Sequence, residues 1–351
     1  MAVGSDQEVY VVDFGAPGVE VFDGNGRHLR TIGTRGDGPG EFRGLAYIGW
    51  LNDTLWAADL ALRRISLFDR LGNLLETVPA PEVQLSETNF TFGVRALLRD
   101  RSILMNEALS GAASTGKIDP TVQLILRSSQ DGKSVHALRW MSVQDSWLRV
   151  LIGTTAQLQT REPWSRSDLL AVSRSGDRIV IVERPPTEDA DSSEYRLTVL
   201  GQDGKQLWFR NVPVKPVPLS DDQVRQWANE FVERNRLEKH FATASAARRA
   251  LIETVHRPRY LPQVPNVGRG LSNGAVVAGM NGMVWVRREI GSARFQHWDV
   301  FDQHGRLIAV AKVPNGTTLL EISDTMVWGV KLDEFDVPVI NRYRIERSRV
   351  P

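Results

Sequence analysis

The stretch EVYVVDFGAPGVEVFDGNGRHLRTIG, which runs from Glu8 to Gly33, decides the fold because it recurs further along the chain. TLWAADLALRRISLFDRLGNLLETVP, from Thr54 to Pro79, aligns with it almost without gaps. Each copy contains an apolar strand that ends in an aspartate, a second strand, an FD-x-x-G turn and a third strand. Self-similarity of this kind is typical of repeat architectures.

The same turn and the same first strand recur along the rest of the chain. The turn glycines are Gly26, Gly72, Gly132, Gly204 and Gly305. The strand has six copies, which read EVYVVD, TLWAAD, SILMNE, RIVIVE, MVWVRR and MVWGVK. Short alternating strands with Gly/Asp turns predict an all-β fold, a six-bladed β-propeller of four-stranded blades. A β-sandwich is the alternative, which the period and the six copies disfavour.

A longer pattern carries a resemblance to a known family. It reads IG-x-x-G-x-GPGEF (Ile32–Phe42), then a strand, LW-x-x-D and I-x-LFD-x-x-G. This order resembles the bacterial six-bladed β-propeller family related to NHL and TolB-like repeats. The resemblance covers essentially the whole chain, including Trp298–Gly305 and Tyr343–Arg347. It implies the propeller fold and leaves the function open, because propellers host many activities.

The glycine-rich stretch GTRGDGPGEFRG (Gly33–Gly44) does not have the sequence of a phosphate-binding loop. A P-loop requires Lys and Ser/Thr where Pro39 and Gly40 stand, and a dinucleotide fingerprint requires glycine where Glu41 stands. The stretch is followed by a strand pattern instead of a helix. It is therefore predicted to cross from the outer strand of one blade to the inner strand of the next.

Two features depart from a plain propeller within the single domain predicted for residues 1–351. Only MAV precedes the first repeat and no fourth strand follows the last one, so the N-terminal strands of the closing blade are expected to lie upstream of Met1. Residues 214–262 are predicted to be a helical insertion between blades 4 and 5. Its first helix is signalled by a capping box of Ser220 and Gln223, and its second is expected over Ala244–Val255. Residues 144–167 are expected to be a long connection.

Composition excludes several classes of function. With 43 basic and 42 acidic residues, the chain lacks the positive excess of a broad nucleic-acid footprint. It has no cysteine, which excludes disulfides, thiolate nucleophiles and cysteine metal sites. No apolar run reaches the length of a membrane span, and the six histidines show no zinc-site spacing. The sequence therefore predicts no cofactor, no metal, no nucleic-acid partner and no transmembrane segment.

Polar residues at the ends of the repeated strand are the candidates for a site at the mouth of the channel. They are Asp13, Asp59, Asn106, Glu107, Glu183, Arg287 and Lys331. Six-fold symmetry would place them in one ring, where they could hold a metal or a polar ligand, although the basic members disfavour a cation. In the alternative interpretation each aspartate bonds its own turn. The sequence contains no catalytic signature, which argues against an enzyme but leaves the question open.

The predicted function is a non-enzymatic protein-interaction module, an accessory or scaffold subunit of a larger bacterial complex associated with a membrane. The interaction candidates lie in the helical insertion, and they are Trp227, Phe231, Arg234, Arg248 and Arg249. The alternative is that this insertion only packs on its own propeller. Other hypotheses are a lactonase-like or carbohydrate-acting site in the channel and NHL-type RNA binding. The location is predicted to be periplasmic, or cytoplasmic if Met1 is the true start.

Overall fold

The chain is described from a computed structural model. It covers residues 1–4, 7–12, 18–81, 91–108, 122–142, 147–152, 156–185, 193–235, 237, 241, 243–265, 274–279, 282–289, 294–335 and 337–346. Only the backbone is described for residues 91, 92, 107, 108, 122, 123, 147, 149–152, 156–161 and 234.

Six antiparallel sheets form the blades of a β-propeller, and their strands follow one another in chain order. Blade 1 consists of β1 (Ala2–Val3), β2 (Val9–Val12), β3 (Val19–Phe22) and β4 (His28–Ile32). Blade 2 consists of β7 (Leu45–Leu51), β8 (Thr54–Asp59), β9 (Arg64–Phe68) and β10 (Leu74–Pro79). Blade 3 consists of β11 (Thr91–Leu97), β12 (Ile103–Ala108), β13 (Val122–Ser128) and β14 (Val135–Ser142).

The second half of the chain continues the same pattern. Blade 4 consists of β17 (Leu169–Val172), β18 (Arg178–Glu183), β19 (Glu194–Gly201) and β20 (Gln206–Pro213). Blade 5 consists of β21 (Val276–Ala278), β22 (Val284–Arg288), β23 (Phe295–Phe301) and β24 (Leu307–Pro314). Blade 6 has three described strands, β25 (Thr318–Ile322), β26 (Met326–Leu332) and β27 (Pro338–Arg344).

The predicted repeat is confirmed, because all six copies of the repeated strand are second strands of blades. The turn glycines also behave as predicted. Gly26, Gly72, Gly132, Gly204 and Gly305 all have φ between 70° and 93°. That region strains any residue with a side chain, so glycine is suited to this turn between the third and fourth strands.

The crossover predicted for residues 33–44 is confirmed as the link from the outer strand β4 to the inner strand β7. It contains β5 (Thr34–Arg35) and β6 (Glu41–Phe42), which form a short parallel pair. The Glu41 carboxylate accepts a hydrogen bond from the Gly38 N–H at 2.7 Å and so closes the glycine-rich turn onto itself.

The helical insertion lies between blades 4 and 5, as predicted. It contains α1 (Asp221–Arg234) and α2 (Ala244–Thr254). The Ser220 side chain accepts from the Gln223 N–H and the Gln223 side chain accepts from the Ser220 N–H, which completes the capping box.

One detail differs from the sequence expectations, and one adds to them. Residues 144–167 contain a hairpin, β15 (Trp147–Ile152) and β16 (Ala156–Arg161), instead of a plain connection. Ala2–Val3 pairs with β2 as an inner strand, so blade 1 has four strands. This strand is only two residues long, and it pairs with β2 in the register Ala2↔Tyr10 and Val3↔Val9.

The core lies between neighbouring blades. Inner strands contact one another around the channel, with β1 against β7 and β25 and with β21 against β17 and β25. Buried polar groups also join blades. The Tyr195 hydroxyl of blade 4 donates to the Asp299 carboxylate of blade 5 at 3.0 Å, and Arg288 bonds the same carboxylate.

Candidate functional site: the channel and the insertion face

The direction of the strands defines two faces of the propeller. Because each blade is an antiparallel meander, the ends of its second and fourth strands lie beside the start of its first. The crossovers between blades and the turns after the second strands therefore share one face. We call it the insertion face, because it carries residues 33–44, the β15–β16 hairpin, α1 and α2.

The predicted channel-mouth residues lie at or near the ends of the second strands, on the insertion face. Those with described side chains are Asp59, Asn106, Glu183, Arg287 and Lys331. Asp13 and the side chain of Glu107 lie outside the described residues. Their common role at a channel mouth stays a prediction.

Asp59 is a buried carboxylate that bonds the backbone around it. It is 1% exposed. It accepts from the N–H groups of Arg43 at 2.7 Å, Gly44 at 3.1 Å and Leu62 at 2.8 Å. Leu62 belongs to the turn after β8, and the other two lie at the end of the crossover. The contacts of Asp59 therefore fit the alternative interpretation, in which the aspartate holds its own turn.

Glu183 lies in a cluster of charges between blades 3 and 4. It forms ion pairs with Arg139 at 2.6 Å and Arg196 at 3.5 Å. Burial raises the pKa of nearby Asp168 to about 6, and the negative charge of Glu183 adds to that shift. The Ser142 N–H donates to Asp168 at 2.7 Å and opposes it. The positive charges of Arg139 and Arg196 balance the negative charge of Glu183. The cluster therefore joins strands of blades 3 and 4.

The two basic candidates differ in their surroundings. Lys331 is exposed on β26. Arg287 is half-buried on β22, where burial lowers the pKa of its guanidinium and the charge of Glu289 opposes that shift. Arg287 also lines a pocket on the insertion face, which the other described members of the predicted ring do not line.

That pocket, the insertion pocket, has a volume of about 310 Å³ and lies between α1 and blade 5. Its lining includes Trp164, Trp227, Glu230, Arg287 and Glu289. Trp227 lies in an aromatic row, with ring centroids 5.7 Å from Trp164 and 5.6 Å from Phe231. Aromatic walls with a few charged groups are typical of binding pockets.

The interaction candidates of the sequence fall into two groups. Trp227 and Phe231 are half-buried and belong to the aromatic row. Arg248 pairs with Glu233 at 3.7 Å, and Arg249 is exposed on α2. The side chain of Arg234 is outside the described residues. A role in contacting a partner stays a prediction for all of them.

A second cavity of about 290 Å³ lies in the central channel and is lined by the inner strands of all six blades. One lining residue from each blade, in order, is Ala2, Tyr47, Arg95, Arg174, Val277 and Glu321. The predicted mouth residues are not among the described residues that line this cavity. A sequence signal for this cavity does exist. It is a charged residue within an otherwise apolar inner strand, such as Glu321 in TLLEI, and the sequence analysis did not use it.

The described residues show neither a metal-binding cluster nor a membrane-spanning helix. They contain no group of three or more His, Cys, Asp or Glu side chains that could hold a metal ion. Among the described helices, none is long and apolar enough to cross a membrane.

Comparison with known proteins finds similarity among solved structures alone. No protein-family model and no curated protein matches the chain. A member of the DUF4221 family from Bacteroides vulgatus is 9% identical with a TM-score of 0.46, covering 98% of this chain and 92% of that one. PQQ-bound aldose sugar dehydrogenase from Streptomyces coelicolor is 12% identical with a TM-score of 0.41, covering 97% and 92%. BamB from Moraxella catarrhalis is 12% identical with a TM-score of 0.31, covering 94% and 68%. Similarities this low carry no functional inference, and the assignment as a six-bladed β-propeller rests on the sheets of the chain itself.

Proposed function

We propose that this chain is a non-enzymatic protein-interaction module that binds its partner at the insertion face. The observation that carries the proposal is the aromatic row of Trp164, Trp227 and Phe231, of which Trp164 and Trp227 line the insertion pocket. All three side chains are only half-buried. Aromatic residues beside a pocket are the usual anchors of protein–protein interfaces.

The helical insertion has an apolar core of its own, and the aromatic row is not fully buried in it. Val224, Ala228, Ala247 and Leu251 are buried in it, together with Leu148 of the β15–β16 hairpin. The aromatic row packs at the edge of this core and keeps part of its surface accessible. The insertion is thus a folded unit added to the propeller, and its exposed aromatic edge is available to a partner.

The charges around the pocket favour a basic side chain of the partner. Glu230 and Glu289 contribute two negative charges and Arg287 one positive charge. The face of Trp227 could stack against a guanidinium or an ammonium group. We therefore expect the partner to place an arginine or a lysine into the insertion pocket.

Affinity purification with quantitative mass spectrometry tests this proposal. Natively expressed wild-type protein should retain a stoichiometric partner, and Glu230→Arg should lose it because the new charge repels a basic side chain. Glu253→Arg is the matched control, since Glu253 is exposed on α2 and outside the pocket. Equal partner yields for the two variants, or no stoichiometric partner for the wild type, would refute the proposal.

The finer assignments belong to the same proposal. They are an accessory or scaffold subunit of a larger membrane-associated complex, an extracytoplasmic location, and a relation to NHL and TolB-like propellers. Cell fractionation of the native protein checks the location, because the proposal expects it outside the cytoplasm. Recovery in the cytoplasmic fraction alone would contradict that part.

A further inference from the structure

The channel cavity combines hydrogen-bond donors on one side with a carboxyl group on the other. On the donor side, Arg95 of blade 3 donates to the Tyr47 hydroxyl of blade 2 at 2.6 Å. The Arg95 guanidinium also lies 4.7 Å from the centroid of the Tyr47 ring. This contact joins two blades and fixes the position of the positive charge. Both residues line the cavity.

Trp56 adds a donor that has no partner. Its indole lines the cavity, and among the described residues nothing accepts from its buried N–H. The indole lies against Gly49, where an added Cβ would come within 2.6 Å of the ring. Buried donors in folded proteins are nearly always satisfied. An unsatisfied N–H in a cavity wall is therefore a position where a ligand atom can accept.

Glu321 of blade 6 lines the cavity opposite blade 3, and Arg174 of blade 4 lines it between them. Glu321 is buried, with 6% of its surface exposed. Arg174 acts on it through its charge. The charged side chains among the described lining residues are two guanidinium groups, Arg95 and Arg174, and one carboxyl group, Glu321. This set of side chains therefore favours an anion over a metal cation.

We propose that the channel binds a small organic acid that carries a hydroxyl group next to its carboxylate. The carboxylate is held by Arg95 and the Trp56 N–H, and the hydroxyl donates to Glu321. Charge-assisted bonds to a guanidinium are stronger than neutral ones, so the carboxylate provides most of the affinity. This site is independent of the insertion pocket, which lies on the insertion face.

Calorimetric titration with three probes of similar size tests the class of ligand. The probes are D-glycerate, propionate, which lacks the hydroxyls, and glycerol, which lacks the charge. We expect glycerate to bind with a Kd of about 1 mM or tighter and at least tenfold more tightly than either analogue. Equal affinity for the three probes, or no detectable binding of glycerate, would overturn the proposal.

Variants of the cavity wall test the position of the site. Arg95→Gln should weaken glycerate at least tenfold, and Trp56→Phe, which keeps a ring and removes the N–H, should weaken it by a smaller factor. Arg249→Gln makes the same charge change on the exposed surface of α2 and should leave the affinity unchanged. If Arg95→Gln fails to fold, Trp56→Phe decides alone. Wild-type affinity in a folded Arg95→Gln or Trp56→Phe variant would show that the anion binds elsewhere.

Discussion

Glu321 is a carboxyl group that the fold places in an unfavourable environment. Burial raises its pKa from the ordinary value of 4.5 to about 7. The Arg174 guanidinium and the Met1 amino group oppose this shift without cancelling it. The folded chain therefore holds a proton on Glu321 at pH values where the unfolded chain has released it.

The sign of this shift predicts a pH-dependent effect of Glu321→Gln. Since the pKa is higher in the folded chain, the carboxyl group lowers stability progressively as the pH rises from 4.5 to 7. Glutamine does not titrate, so the variant should match the wild type near pH 4.5 and exceed its unfolding free energy by roughly 3 kcal/mol at pH 8. Urea unfolding of both proteins at the two pH values measures the difference. A difference that is the same at both values would contradict the shift.

Turn residues and channel residues differ in how far the sequence reveals them. In the last FD-x-x-G turn, Asp302 accepts from the N–H groups of His304 and Arg306, which together with the Arg306 side chain hold its pKa at about 2. All of these groups lie within five residues, so the motif is visible in the sequence. Arg95 and Glu321 line one cavity from distant repeats, and the local sequence marks each of them only as a charged residue within an otherwise apolar inner strand.

At the scale of elements, α1 depends on its cap because little of its surface is buried. Asp221 and Asp222 lie in its first turn, where negative charge favours the helix N-terminus. The Ser220 side chain accepts from the Gln223 N–H at 3.3 Å, and the Gln223 side chain accepts from the Ser220 N–H at 2.9 Å. The cap therefore controls whether the first turn of α1, which borders the insertion pocket, stays helical.

Ser220→Ala should loosen α1 without disturbing the blades. Losing a serine N-cap costs about 1 kcal/mol of helix stability. We expect faster hydrogen exchange in peptides that cover α1 and unchanged exchange in blade 4. Ser245→Ala is the control, because Ser245 lies exposed inside α2 and caps nothing. Unchanged exchange of α1 in Ser220→Ala would mean that packing, and not the cap, holds its first turn.

The two helices could be predicted from the sequence and the β15–β16 hairpin could not. A helix start has a strong local pattern, whereas the strands of this hairpin are short. A capping box followed by apolar residues at helical spacing is a strong local pattern. The hairpin consists of two six-residue strands. Its sequence, WLRVLIGTTAQLQTR, contains turn residues between two runs, but its apolar pattern is too short to separate a hairpin from a connection.

At the scale of the whole molecule, the contact between blades 6 and 1 differs from the other contacts between blades. Successive blades are joined by the chain, whereas among the described residues this seam is closed by side chains. Trp328 of β26 packs against Val3 and Val9 of blade 1. Arg342 of β27 donates to the Gln7 side chain at 3.1 Å. The seam therefore depends on a small apolar cluster and a few polar contacts.

Trp328→Ala should open the ring at this seam. Removing a buried tryptophan costs about 3–5 kcal/mol, and Trp328 belongs to the small apolar cluster that joins these two blades. The absence of native cysteines allows spin labels at Asn25→Cys and Thr325→Cys, two exposed turn positions on the same face of blades 1 and 6. Electron double resonance should give one narrow distance for the labelled wild type and a broad distribution for Trp328→Ala in mild denaturant. Trp298→Ala removes a fully buried tryptophan away from the seam and should keep the narrow distance while losing similar stability. If both variants broaden the distance distribution equally, the seam is no weaker than the other interfaces between blades.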